Sequence, residues 1–258
     1  MILVDTHTHL YLEEFDTDRN EVVNAAINAG VKFMLLPRID SESHKAQMEL
    51  SRQFPENCLS MMGLHPTSVK DDYEKELALV EEELKTKKYT GIGEIGIDLY
   101  WDDTYREQQE FVFRRQLQLA KEYKLPVSIH TRDSFDEIYS IVKDEHNEDL
   151  TGVFHCFTGT KEQAGKIMDL GFKMGIGGIL TFKNAKLPEV VKDIPAGFMV
   201  LETDAPFLTP VPYRGKRNQS RYVVYIAEKL AEIKHTTLQE VAEITTANAA
   251  ELFKLTVS

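Results

Sequence analysis

Cysteine and long apolar runs are scarce in this chain. Its two cysteines, Cys58 and Cys156, lie far apart in neither a metal-binding nor a redox spacing, which favours a reducing, cytoplasmic compartment. No apolar run approaches the length of a membrane span, and the longest, such as residues 31–36, suit buried strands. Because no basic segment or signal-type stretch precedes the first strand-like run, we expect no association with a membrane.

Positive charge is also in short supply. The chain has 30 Lys and Arg against 42 Asp and Glu, a formal net charge of −12, which argues against indiscriminate nucleic-acid binding over the whole surface. An enzyme of nucleic acids is not excluded, because metal-binding carboxylates are themselves acidic and bound cations reverse the local sign. Charge balance therefore leaves the substrate open.

Short β-type runs alternate with amphipathic helical stretches from end to end. Strands are predicted near residues 2–6, 32–36, 58–63, 90–94, 126–130, 152–155, 172–177 and 198–202. Helices are predicted near residues 19–29, 43–54, 72–86, 105–123, 135–144, 161–170, 186–191, 221–233 and 238–255, three of them opened by capping boxes at Ser134, Thr160 and Thr237. With no linker or repeat, this pattern predicts an α/β fold, a single (β/α)8 TIM-type barrel over residues 1–258; a doubly wound open sheet is the alternative.

Histidines and carboxylates fall at the ends of the predicted strands. They are His7 and His9 after the first strand, His65 after the third, Glu94 at the end of the fourth, His130 and His155 at the ends of the fifth and sixth, and Glu202 and Asp204 at the eighth. Strand alternation puts His7 and His9 on one face. In a barrel the C-terminal ends of the strands meet at one rim, so the sequence predicts a metal centre there.

Four histidines and two carboxylates are more than one zinc ion needs. They suit two divalent cations per chain, joined by a carboxylate that has an oxygen for each. We predict Glu94 as that bridge, with His7 and His9 on one ion and His130 and His155 on the other. Asp204 would bind the first ion or accept a proton from the attacking water, and Glu202 would orient a ligand. Mg²⁺, Mn²⁺, Zn²⁺ and Ni²⁺ all remain open.

Seven blocks of sequence carry a likeness to one known family. They are residues 5–10, 63–66, 92–98, 109–130 (especially 116–130), 152–159, 201–210 and 215–218. In these blocks the chain resembles the TatD family of metal-dependent deoxyribonucleases, a branch of the amidohydrolase-like barrels. The resemblance implies a divalent-metal barrel that hydrolyses DNA phosphodiesters, several members acting as 3′-to-5′ exonucleases. It implies the same six ligands: His7, His9, Glu94, His130, His155 and Asp204.

Further residues near the strand ends are candidates for contact with substrate. His65 would bind the scissile phosphate or protonate the leaving group, or else is a structural histidine. The basic loop 213–218 supplies Arg214, Lys216 and Arg217, which with Arg132 are predicted to bind phosphates, although a solvated surface loop is the alternative. The loops after the strands also carry aromatic residues that would stack on unpaired bases or pack on neighbouring loops: Tyr100, Trp101, Phe157 and Tyr213.

These patterns predict a divalent-metal-dependent hydrolase that cleaves DNA with activated water. We expect a monomeric 3′-to-5′ exonuclease that acts on single-stranded DNA. Because one fold serves many reactions, a hydrolase of a small ester, lactone, amide or phosphoester is the first alternative. A metal- or partner-binding barrel without activity is the second, weakened because no predicted ligand is missing from the chain.

Overall fold

Parallel strands alternate with helices along the chain. The computed structural model describes residues 1–86, 88–100 and 102–257, so that Trp101 lies outside the described residues. The strands are β1 (Leu3–Asp5), β2 (Val31–Leu36), β3 (Cys58–Ser60), β4 (Ile92–Asp98), β5 (Val127–Arg132), β6 (Gly152–Phe154), β7 (Lys173–Ile176) and β8 (Met199–Leu201). The α-helices are α1 (Arg19–Asn28), α2 (Ser41–Gln53), α3 (Tyr73–Thr86), α4 (Arg106–Tyr123), α5 (Phe135–Glu145), α6 (Lys161–Asp169), α7 (Leu187–Val191), α8 (Val223–Lys234) and α9 (Leu238–Phe253).

The strands close into a barrel. They pair in parallel in chain order as β1-β2-β3 and as β4-β5-β6-β7-β8. A parallel bridge between Met62 and Ile92 joins β3 to β4, and the Thr6 backbone N–H donates to the Leu201 carbonyl at 3.0 Å to join β1 to β8. A doubly wound sheet would leave two free edges, so these two seams confirm the (β/α)8 prediction.

Apolar side chains fill the space between the strands and the surrounding helices. Helix α5 shows the principle, because its buried residues Ile138, Ile141 and Val142 recur at helical spacing on one face. Every residue of β4 is buried, as expected for a barrel strand that is covered on both faces. None of the helices within the described residues is long and apolar enough to cross a membrane.

Two of the three predicted capping boxes are confirmed. The side chain of Thr160 caps α6 and that of Thr237 caps α9, each with the reciprocal bond. The prediction at Ser134 is wrong, because its hydroxyl donates to the Ile97 carbonyl at 2.5 Å instead of capping α5. That bond ties the start of α5 to the end of β4. Asp40 caps α2 with a box that the sequence reading missed.

Strand β4 is longer than predicted, running to Asp98 rather than ending at Glu94. Its glycines allow β5 to approach closely instead of ending the strand. A Cβ added at Gly93 would lie 2.8 Å from the Ser128 Cβ, and one at Gly96, where φ is +149°, would lie 2.0 Å from the His130 carbonyl oxygen. Glu94 therefore sits in the middle of β4, beside the strand that carries His130.

Candidate metal centre

The barrel brings its strand-end histidines and carboxylates to one cluster. Among the described residues, three groups of side chains have possible ligand atoms that all lie within 4.8 Å of one another inside the group. They are His7, His9 and Glu94; His65, Glu94 and His130; and His7, His155 and Asp204. All six ligands predicted from the sequence belong to these groups, so β1, β4, β5, β6 and the segment after β8 each contribute to one site.

The two carboxylate oxygens of Glu94 face different histidines. Its Oε2 lies 3.1 Å from His7 Nε2 and 3.5 Å from His9 Nε2. Its Oε1 lies 2.7 Å from His130 Nδ1 and 3.0 Å from His155 Nε2. Each oxygen thus faces a different pair of imidazoles, which is the arrangement that a carboxylate bridging two cations requires.

Asp204 lies on the His7 and His9 side of Glu94. Its Oδ1 is 3.5 Å from His9 Nε2 and 3.9 Å from His7 Nε2. The Asp204 backbone N–H donates to the His7 carbonyl at 2.9 Å, and buried Asp5 accepts bonds from both the N–H and the hydroxyl of Thr203, at 2.8 and 2.6 Å. These bonds hold the segment after β8 against the end of β1.

Hydrogen bonds behind the first two histidines fix their rings. The Tyr11 hydroxyl donates to the Pro37 carbonyl at 2.5 Å, so it accepts the hydrogen of His9 Nδ1, 2.8 Å away. This bond leaves His9 Nε2, which faces Glu94 and Asp204, as the nitrogen that would bind a cation in place of its proton. His7 Nδ1 lies 3.0 Å from the Ser128 hydroxyl on β5. Sequence reasoning missed Tyr11, although it follows His9 at the same spacing that separates His7 from His9.

Carboxylates stand behind the other two histidines. Asp98 Oδ2 lies 2.9 Å from His130 Nε2, and Glu202 Oε1 lies 3.2 Å from His155 Nδ1. Each carboxylate accepts a ring hydrogen, so the opposite ring nitrogen, which faces Glu94, would bind a cation once the cation replaces the proton on that nitrogen. Glu202 stands where the sequence-based hypothesis puts it. Gly175 makes room for Glu202, because an added Cβ would lie 2.0 Å from its Oε2. Asp98 was not predicted.

The electrostatics of the cluster favour positive charge around Glu94. Burial raises the pKa of Glu94, but the charges of His65, His155 and His7 together hold it well below its ordinary value. Burial lowers the pKa of His9, yet hydrogen bonds to Asp204 and Glu94 raise it to about 9. The pKa of His155 also rises well above normal, because Glu94 and Glu202 outweigh its burial.

The residues present fit divalent cations. Imidazole nitrogens suit zinc, nickel or manganese, and carboxylate oxygens also accept magnesium. Without a metal, the carboxylates of the cluster raise the pKa values of His9 and His155, so these rings carry protons. Bound cations would supply this positive charge in place of the protons. The donor set and its electrostatics therefore agree with the metal centre predicted from the sequence.

His65 differs from the other histidines in its hydrogen bonding. The Thr67 backbone N–H donates to His65 Nδ1 at 3.1 Å, so the ring hydrogen sits on Nε2. Nε2 lies 3.3 Å from Glu94 Oε1. In this tautomer His65 is a hydrogen-bond donor at the edge of the cluster. It has the capacity to donate to a phosphate oxygen or to a leaving group, the two roles proposed for it from the sequence.

An open cavity of about 660 Å³ leads to the cluster. His9, His65, Glu94, Asp98, His130, His155 and Asp204 line its floor and walls, together with Ile39, Thr67, Thr131, Arg132, Cys156, Thr158, Ile179, Phe207 and Leu208. The candidate metal ligands that line this cavity are thus accessible to a substrate, and apolar residues lie beside them.

Comparison with known proteins agrees with this geometry. The family described as TatD related DNase matches residues 4–254 of the chain. The chain belongs to the TatD family. It is 43% identical to an uncharacterized metal-dependent hydrolase, YabD of Bacillus subtilis, over 98% of this chain and 100% of that protein. It is 35% identical to YcfH of Escherichia coli, another uncharacterized metal-dependent hydrolase, over 100% of this chain and 98% of that protein.

A solved structure supports the same assignment. The crystal structure of YjjV, a TatD homologue from Escherichia coli, superposes with a TM-score of 0.92 at 29% identity and covers 98% of each chain. The protein described here is accordingly a metal-dependent hydrolase with the TatD barrel.

Of the four basic residues predicted to bind phosphates, only Arg132 lines the cavity. No other Lys or Arg among the described residues does so. Arg214 donates to the Thr209 carbonyl and lies 3.8 Å from the Phe182 ring centre, and the Arg217 guanidinium pairs with Asp18.

Lys216, on the same loop, lies 5.9 Å from the Tyr213 ring centre. The structure therefore places Arg132 in the cavity wall, whereas Arg214, Lys216 and Arg217 do not line the cavity. The two loop arginines instead contact the Phe182 ring and the Asp18 carboxylate. Phosphate binding by the loop stays a prediction.

Asp98 gives the first testable prediction for this TatD hydrolase. Asp98→Asn is expected to lower metal affinity or kcat/KM by about 10- to 100-fold, because the amide fixes the His130 ring less firmly and makes it a weaker ligand. Metal titration and steady-state kinetics measure the effect. Asp102→Asn, a change at an exposed position four residues further on, is the matched control and is expected to behave as wild type. Metal affinity and kcat/KM that are both equal in the two variants would contradict the role of Asp98.

Proposed function

We propose that this TatD hydrolase cleaves the phosphodiester bonds of DNA, as a 3′-to-5′ exonuclease on single strands. The observation that carries the proposal is Glu94, a buried carboxylate whose two oxygens each face a histidine pair at the floor of an open cavity. Sites with two cations and a shared carboxylate suit in-line displacement at phosphorus, since the attacking and the departing oxygen both need charge stabilisation.

Two groups of side chains would hold the cations. His7, His9 and Asp204 form one group, and His130 and His155 form the other, with Glu94 shared between them. Divalent cations bound there supply Lewis acidity, which lowers the pKa of water and neutralises charge on phosphoryl oxygens. Mg²⁺, Mn²⁺, Zn²⁺ and Ni²⁺ all agree with the donor set.

The protein's own groups account for binding and for proton transfer. Asp204 lines the cavity and would accept the proton of the water that attacks phosphorus. His65, with its hydrogen on Nε2, would donate to the sugar oxygen as its bond to phosphorus breaks. Arg132 at the cavity wall would bind a phosphate of the substrate.

Metal removal and a substrate panel test this proposal. Single-stranded DNA labelled at its 5′ end is expected to give a ladder that shortens one nucleotide at a time from the 3′ end. EDTA is expected to abolish the ladder, and Mg²⁺, Mn²⁺, Zn²⁺ or Ni²⁺ added singly to the stripped protein would identify the working metal. RNA, duplex DNA, a lactone and p-nitrophenyl esters complete the panel.

The panel separates the alternatives. Intact DNA together with rapid turnover of a lactone or a small ester would contradict the nuclease proposal and favour the small-molecule hydrolase. Internal fragments in place of a ladder would contradict exonuclease action alone. Bound metal without turnover of any substrate would favour a barrel that only binds metal or a partner.

A further inference from the structure

Phe207 places an aromatic ring at the mouth of the metal centre. It follows Asp204 by three residues, lines the cavity and is 49% exposed. Its ring centre lies 6.4 Å from that of His9. An aromatic side chain left half in water beside a reactive cluster is not explained by burial in the core, so a contact with substrate is the alternative to consider.

The backbone beneath this ring is firmly held. The Phe207 N–H donates to the Asp204 carbonyl at 2.8 Å, and its own carbonyl accepts a bond from Asn218 Nδ2 at 2.6 Å. Asn218 is fully buried and also donates to the Thr203 carbonyl at 2.8 Å. Phe207 is thus an exposed apolar ring on a fixed support, and little order has to be gained when a flat ligand binds to it.

The cavity wall around Phe207 is apolar, whereas the wall around Arg132 carries positive charge. Ile179 and Leu208 line the cavity with it, which gives this side an apolar character. Arg132 ends β5, and its guanidinium lies 4.0 Å from the ring centre of Tyr100. Because two strands, β6 and β7, lie between β5 and β8 in the order of the sheet, the cationic and the apolar sides are apart around the barrel. A nucleotide has the matching polarity, with a flat base and an anionic phosphate.

We propose that Phe207 is the platform on which the base of the terminal nucleotide stacks while its phosphate occupies the metal centre. The inference rests on the proposed function and deepens it. Stacking on an aromatic side chain tolerates every base, because each base has a π face. A paired end would first have to unstack its base, so the platform favours single-stranded ends.

A cycle of protein and substrate changes tests the platform. The substrates are two single-stranded DNA oligonucleotides that differ only at the 3′-terminal nucleotide, one carrying adenine and the other an abasic sugar. Wild type is expected to prefer the adenine substrate by about 10-fold or more in kcat/KM. Phe207→Ala is expected to remove this preference through KM with little change in kcat, and Phe207→Tyr is expected to keep it.

Phe111→Ala is the matched control, because Phe111 on α4 is 57% exposed and does not line the cavity. It is expected to retain the wild-type preference. 2-Aminopurine at the 3′ end gives a second readout, since its fluorescence falls when the base stacks, and the fall is expected in wild type and Phe207→Tyr but not in Phe207→Ala. Hydrolysis with the same base preference in Phe207→Ala and wild type would overturn the platform alone. No hydrolysis of any oligonucleotide would overturn the proposed function and the platform with it.

Discussion

Replacing Glu94 with Gln is expected to lower kcat/KM by about 10³-fold or more and to release at least one of the two proposed metal ions. The glutamine amide has one oxygen where the carboxylate has two, so it can face only one histidine pair as a ligand. In the wild type, Oε2 faces His7 and His9, and Oε1 faces His130 and His155. Loss of a cation removes several kcal/mol of transition-state stabilisation, which corresponds to the stated loss of rate.

Metal analysis of the purified protein and steady-state kinetics at saturating metal measure this effect. Glu122→Gln makes the same chemical change at an exposed position on α4, and it is expected to match wild type in both metal content and rate. Circular dichroism of both variants checks that the barrel is intact. If Glu94→Gln kept both ions and the full rate, a bridging carboxylate would be ruled out.

The frame of the site could be predicted because barrel geometry turns positions in the sequence into positions in space. His7 and His155 belong to strands far apart along the chain, yet their ring centres stack at 3.7 Å. Nothing local in the sequence brings them together. What does so is the rule that parallel strands in a barrel present their C-terminal ends at one rim, combined with strand alternation.

The supporting hydrogen bonds were harder to predict because they depend on where each strand ends. The fourth strand was predicted near residues 90–94, whereas Gly93 and Gly96 allow close contact with β5 and the strand continues to Asp98. Asp98 then has the same parity as Glu94 and reaches His130 from the other side. The alternation of positions 94, 96 and 98 was the signal that would have found Asp98.

Surface residues were predicted least well, because their partners come from distant segments. Arg217 pairs with Asp18, which lies near the start of the chain, and no spacing or motif in the sequence predicts that pair. Phe207 lies three residues after a predicted ligand, but its exposure and its place in the cavity wall become visible only in three dimensions. The metal centre is encoded by strand ends, whereas contacts to substrate are encoded by the packing of loops.

Asp204→Asn is expected to separate metal binding from proton transfer. The amide oxygen can still approach a cation beside His7 and His9, and asparagine tolerates the positive φ of +54° at this position. The amide cannot take up the proton of the attacking water. We therefore expect near-wild-type metal content and KM, with kcat lower by about 10²- to 10⁴-fold, the contribution that a general base makes.

Asp133→Asn is a close control for this variant. Asp133 is exposed, lies on the loop after β5 and shares the positive φ, at +52°, so the substitution removes the same charge with the same demand on the backbone. Its kcat is expected to stay at the wild-type value. If Asp204→Asn lost its metal together with its activity, Asp204 would be a ligand first and the base would have to be sought elsewhere in the cavity. If kcat were unchanged, Asp204 would not be the general base, because the amide that replaces its carboxylate cannot take up a proton.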